Sequence, residues 1–93
     1  MEYDSVVGQM VKSIFIYTRL YGKETSKYYW YLNMPVDKFV AKFKKTHFSN
    51  LDITEENLKY TIDEVRKDII AHEEPDVLAM NEEWKKDNQD KLV

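Results

Sequence analysis

Apolar residues along the first third of the chain recur at helical spacing: Val7, Met10, Val11, Ile14, Tyr17, Thr18 and Tyr21 fall three or four apart. That rhythm places them on one side of a helix. Asp4 is a natural N-cap for it, and Gly22 a natural stop. Gly8 lies inside and costs the helix roughly 1 kcal/mol relative to alanine. A second pattern competes. "SIFIYTRLY" is rich in β-branched and aromatic residues, and "GKETS" offers a turn into "KYYWYL", so a β-hairpin over about 13–33 is the alternative. The helix accounts for a longer stretch and for both of its ends, and it is the preferred reading.

Further helices follow from the same periodicity. Ser26 is positioned to cap a short helix over 27–32, and Asn33, which tolerates a left-handed backbone, would end it. Pro35 suits the first turn of a third helix over about 35–46, with Phe39, Val40 and Phe43 as its apolar stripe. "THFSNLD" reads as a linker. In the fourth helix Leu58, Ile62, Val65 and Ile69 repeat at four, three and four. Asp52 or Thr54 would cap it, and Glu55, three residues after Asp52, would complete a capping box. Its carboxylates Glu55, Glu56, Asp63 and Glu64 come early and His72 comes last, in keeping with the helix dipole. Glu55–Lys59 and Asp63–Lys67 sit at pairing distance along it. After Pro75, a fifth helix over about 76–87 presents Val77, Leu78, Met80 and Trp84. The expected fold is all-α, a small bundle of four to five helices. Its single compact domain spans 1–88, and a solvated tail spans 89–93.

Composition narrows the chemistry. Ninety-three residues provide for one modest core. With 43% hydrophobic and 33% charged residues the chain is of the globular type. It has no cysteine, so disulfides, thiolate metal sites and cysteine nucleophiles are excluded. No apolar run reaches membrane-spanning length and the acidic start lacks the basic region of a leader, so a soluble cytoplasmic protein is expected. Only Gly8 and Gly22 are available for a phosphate loop, and they stand alone. "HEEPD" carries Asp76 and a helix-breaking Pro75 where a zinc helix needs a second histidine. No catalytic residue, metal ligand or cofactor site is assigned, and a non-enzymatic protein is expected.

The net charge of −3 conceals an asymmetry. Residues 1–48 hold 8 Lys and Arg against 4 Asp and Glu, whereas residues 49–93 hold 6 against 13. Eleven of the 13 aromatic residues precede residue 49. The densest aromatic stretch is "YYWYLNMP". Tyr28, Tyr29, Trp30 and Tyr31 would cover most of the circumference of one short helix, so one or two of them should reach the surface unless the C-terminal helices wrap them. Tyr and Trp anchor interfaces, which makes these four rings the candidate protein-binding site. The expected role is a small adaptor, inhibitor or accessory factor, of the kind encoded by bacteria, phages or mobile elements. It would act on a protein partner or by self-association, with homodimerisation open.

From Leu32 to Phe43 the spacing of Leu32, Asn33, Met34, Pro35, Phe39 and Phe43 resembles the turn and second helix of helix-turn-helix DNA-binding proteins. That resemblance implies a recognition helix over 35–46 presenting Lys38, Lys42 and Lys45, with Lys44 beside them, to phosphates. Tyr29 departs from the pattern, which places a small residue three before the Leu. A third reading takes the acidic half as an inhibitor that occupies the basic groove of a nucleic-acid-binding protein.

Overall fold

In the computed structural model, which describes residues 1–22, 24–46 and 52–92, the chain forms five α-helices: α1 (Ser5–Tyr21), α2 (Lys27–Asn33), α3 (Val36–Thr46), α4 (Glu55–Ala71) and α5 (Pro75–Asp87). A short 3-10 turn, Gln89–Lys91, follows. Among the described residues there is no strand. The hairpin alternative over 13–33 is therefore overturned: residues 13–21 complete α1, and its second half is α2. The helix prevails because Val7, Val11, Phe15 and Thr18 recur at four, four and three and are all buried on one side. A strand would have split them between two faces. The linker reading of "THFSNLD" falls largely on 47–51, which lie outside the described residues.

The ends of the helices explain their lengths. Asp4 accepts the Val7 amide at 3.0 Å, and the Gly22 amide returns to the Thr18 carbonyl at 2.7 Å. Thr54 caps α4 by accepting the Asn57 amide at 3.2 Å, so the capping box from Asp52 to Glu55 gives way to a cap two residues later. Pro75 opens α5 where its missing N–H leaves no bond unmade. Ser26 precedes α2 as expected but makes no side-chain cap. It also carries the left-handed backbone (φ 65°) that the sequence assigned to Asn33. Asn33 instead remains helical, and the chain leaves α2 through an extended Met34.

α1 packs on α4 and α2, α3 on α4, and α2 on α5. The core they enclose runs from Val7, Val11 and Phe15 through Tyr28, Tyr29, Leu32 and Met34 to Phe39, Val40 and Phe43. It is closed by Leu58, Ile62, Val65 and Val77. Polar side chains in this core are satisfied. Thr61 accepts the Asp4 amide at 3.0 Å, and Asn81 accepts the Asn33 side-chain amide at 2.6 Å. Gly8 has a steric role: a Cβ there would collide with the Tyr3 hydroxyl folded across it. Among the described residues, no helix is long and apolar enough to cross a membrane.

Candidate interaction surface

The four consecutive rings divide between two environments. Tyr28 and Tyr29 are buried, and Trp30 and Tyr31 are half-buried. Tyr28 meets Phe15 edge-on at 6.5 Å, and Tyr29 lies 5.6 Å from Tyr28 with its hydroxyl reaching the Met80 sulfur at 3.9 Å. Trp30 packs edge-on against Trp84 of α5 at 6.1 Å. Tyr31 packs against Phe39 at 5.4 Å and has the Lys42 ammonium 5.2 Å above its ring. Every ring in the run therefore has an internal neighbour, and only Trp30 and Tyr31 retain surface.

The larger apolar surface belongs to α1. The sequence placed Tyr17 and Tyr21 on the core side of this helix; they are exposed, while Phe15 and Gly8 face inward. The physical reason is that α1 is apolar nearly all round, so two overlapping stripes fit its periodicity. The buried one is Val7–Val11–Phe15–Thr18. The other, Val6, Gln9, Met10, Ser13, Ile16, Tyr17, Leu20 and Tyr21, spans an outward arc without one charged residue. Val6, Ile16, Tyr17, Leu20 and Tyr21 are between 59% and 71% exposed. Lys12 and Arg19 lie to the α4 side of the arc, among Tyr60 and Glu64 and against Glu73 respectively. The outward positions of α3, α4 and α5 differ in being studded with Lys, Asp and Glu. Tyr17 and Tyr21 stack at 5.0 Å. Beside them a groove of about 540 Å³ opens between α1 and α2, lined by Met10, Ser13, Ile14, Tyr17, Thr18 and Tyr31 with Lys27 at its rim. The recurrence of uncharged positions at seven residues (6, 13 and 20; 9 and 16; 10 and 17) is the signal available in the sequence.

On α3, Lys38, Lys42 and Lys45 share one side, since they are spaced four and three apart. Lys44 points elsewhere and lies 4.0 Å from Glu55. α2 and α3 meet through Tyr31, which touches Phe39 and Lys42, while the larger contacts of α2 are with α1 and α5 and those of α3 are with α4. The charged side chains of α4 also choose partners the sequence did not indicate. Lys59 pairs with Asp37 at 2.7 Å, Asp63 with Arg66 at 3.3 Å and Glu64 with Lys67 at 3.5 Å.

Among the described residues, one cluster of titratable groups is part-buried. The Glu73 side chain, 5% exposed, receives Arg19 Nε at 3.0 Å, Arg19 Nη2 at 2.9 Å, its neighbour's amide at 2.8 Å and the Tyr28 hydroxyl. Burial alone would raise its pKa. The hydrogen bonds from Arg19, Tyr28 and the Glu74 amide outweigh that and hold it at about 2. Burial, and then the bond to Glu73, pushes the Tyr28 hydroxyl above its ordinary range. With donors from three segments on its two oxygens, Glu73 joins α1, α2 and the α4–α5 corner and is arranged as a structural node. His72 closes α4, its Nδ1 2.9 Å from the Asp68 carbonyl. Among the described residues, no three His, Asp or Glu side chains converge as metal ligands do.

Comparison with protein-family models, with curated proteins and with solved structures finds no match for this chain.

Proposed function

We propose that the chain is a non-enzymatic interaction module that binds a protein partner through the outward face of α1. The observation that carries this reading is the uncharged arc from Val6 to Tyr21 on a protein whose other helices turn charged residues to water. Five large apolar side chains left mostly uncovered expose on the order of 600 Å² of surface, at the top of the range for the largest apolar patch of a monomer. Trp30, Tyr31 and the groove beside them border the same surface and extend it. Nothing in this role calls for a catalytic group.

The test is affinity capture from cells that express the protein, comparing wild type with the double variant Tyr17→Glu, Leu20→Glu. The variant is expected to keep its helical circular dichroism and to lose at least tenfold in partner recovery, since a charge in the centre of an apolar interface costs more than about 2 kcal/mol. Equal recovery by both proteins would remove α1 from the interface.

The three lysines aligned on α3 favour a second reading, nucleic-acid binding. It requires retention on duplex DNA at about 50 mM salt that falls steeply with added salt. It also requires that retention be lost in the triple variant Lys38→Glu, Lys42→Glu, Lys45→Glu.

A further inference from the structure

The α1 face has a feature that narrows its partner. Seven of its eight positions are symmetric about Ser13: a two-fold axis there sets Val6 against Leu20 of a second copy, Gln9 against Tyr17, and Met10 against Ile16, and it leaves Tyr21 facing Ser5. Resting on the reading of α1 as the binding face, we propose that the partner is a second copy of this chain, packed antiparallel through α1 with Ser13 at the crossing.

An isologous interface must be complementary to itself, and three properties of this arc meet that condition. It carries no charge, so no like charges are brought together at the axis. Its smallest side chain is at the centre and its bulkiest, Tyr17, Leu20 and Tyr21, are toward one end, so an antiparallel arrangement places bulk against the slighter Val6 and Gln9. The Ser13 hydroxyl is already bonded to the Gln9 carbonyl at 2.9 Å, so covering it strands no donor. The two helix dipoles also run in opposite directions. The area is adequate. Roughly 600 Å² from the five exposed side chains, with Met10, Gln9 and Ser13 added, approaches the ~800 Å² per partner of a stable interface.

The geometry supplies a sharp probe, because the chain has no cysteine. Helices that cross at ~8–10 Å bring facing Cα atoms to about 4–6 Å, within the span of a disulfide. Full-length wild type, Ser13→Cys, Glu83→Cys and Tyr17→Glu/Leu20→Glu would be studied by sedimentation equilibrium from about 1 to 100 µM. The two cysteine variants would then be oxidised with glutathione disulfide. Self-pairing predicts twice the protomer mass for wild type and a monomer for the charged variant. It also predicts that Ser13→Cys cross-links at least tenfold faster than Glu83→Cys, which carries its thiol on the outer side of α5. A wild type still monomeric at 100 µM overturns the proposal, as does a dimer that survives the charged variant or cross-links no faster through Ser13→Cys. If wild type is monomeric, alkylation of Ser13→Cys in cell extract decides the underlying reading. Protection means that α1 binds a different protein, and unchanged reactivity removes α1 as a binding face altogether.

Discussion

Replacing Glu73 with Gln is expected to lower the stability of the fold by about 2–3 kcal/mol at pH 7 and to flatten its response to acid. The sign follows from where the proton goes. In the unfolded chain Glu73 takes up a proton near its ordinary value of 4.5; in the folded protein it holds out to about 2. Its contribution is therefore complete above the unfolded value, falls as pH drops through that window, and is gone below the folded value. Gln keeps the shape and can still accept from Tyr28, but has no charge for Arg19. Urea unfolding at several pH values between 2 and 7 checks both parts. The wild type should lose the difference as the medium is acidified, and the two proteins should converge near pH 2. A variant as stable as wild type at pH 7, with the same acid response, would show that the node contributes nothing.

Phe15→Ala is expected to cost about 3–5 kcal/mol, while Tyr17→Ala two positions on should change stability by less than about 0.5 kcal/mol. Phe15 is 1% exposed and sits between Tyr28 at 6.5 Å and Phe39 at 5.9 Å, so its removal opens a cavity among α1, α2 and α3. The Tyr17 ring loses little on truncation because most of it already faces solvent. Thermal or chemical denaturation of the two variants reads the rotation of α1 directly. Reversed costs would mean that the helix buries the Tyr17 side. For a domain of this size each kcal/mol corresponds to roughly 4–8 °C in Tm, so the contrast is a large one.

The rotation of α1 marks the limit of what periodicity conveys. Where a helix has one apolar stripe, the sequence read it correctly: Leu58, Ile62 and Val65 in α4, and Phe39, Val40 and Phe43 in α3, are all buried. α1 has apolar residues on both sides, and only the partners it meets decide between Phe15 and Tyr17. Asp4, Gly22 and Pro75 were readable because capping depends on neighbours a few residues away. Asn81 carries no local signal, because a buried amide needs Asn33 of another helix to satisfy it. Glu73 is inconspicuous in "HEEPD" for the same reason: its donors are Arg19 and Tyr28, far away in sequence. The aromatic run was expected to bring one or two rings to the surface. Trp30 and Tyr31 are half-buried, but the broad apolar face lies elsewhere, on residues whose defining property is the absence of charge among them.

The corner between α2 and α3 shows how far such nonlocal control extends. Arg66, on α4, donates one guanidinium nitrogen to the Met34 carbonyl at 2.6 Å and to the Tyr31 carbonyl at 3.3 Å, while its plane lies 5.8 Å from the Phe39 ring. Chain ends of helices ordinarily satisfy such carbonyls with a left-handed residue close at hand. Here the satisfying group arrives from more than thirty positions downstream, and no glycine is needed at the bend. The bend is thus set from two sides: Pro35 keeps Met34 extended, and Arg66 supplies the donor that its carbonyl needs. Cut free of α4, that segment would keep Pro35 and the Tyr31–Phe39 contact but leave the Met34 and Tyr31 carbonyls without this donor.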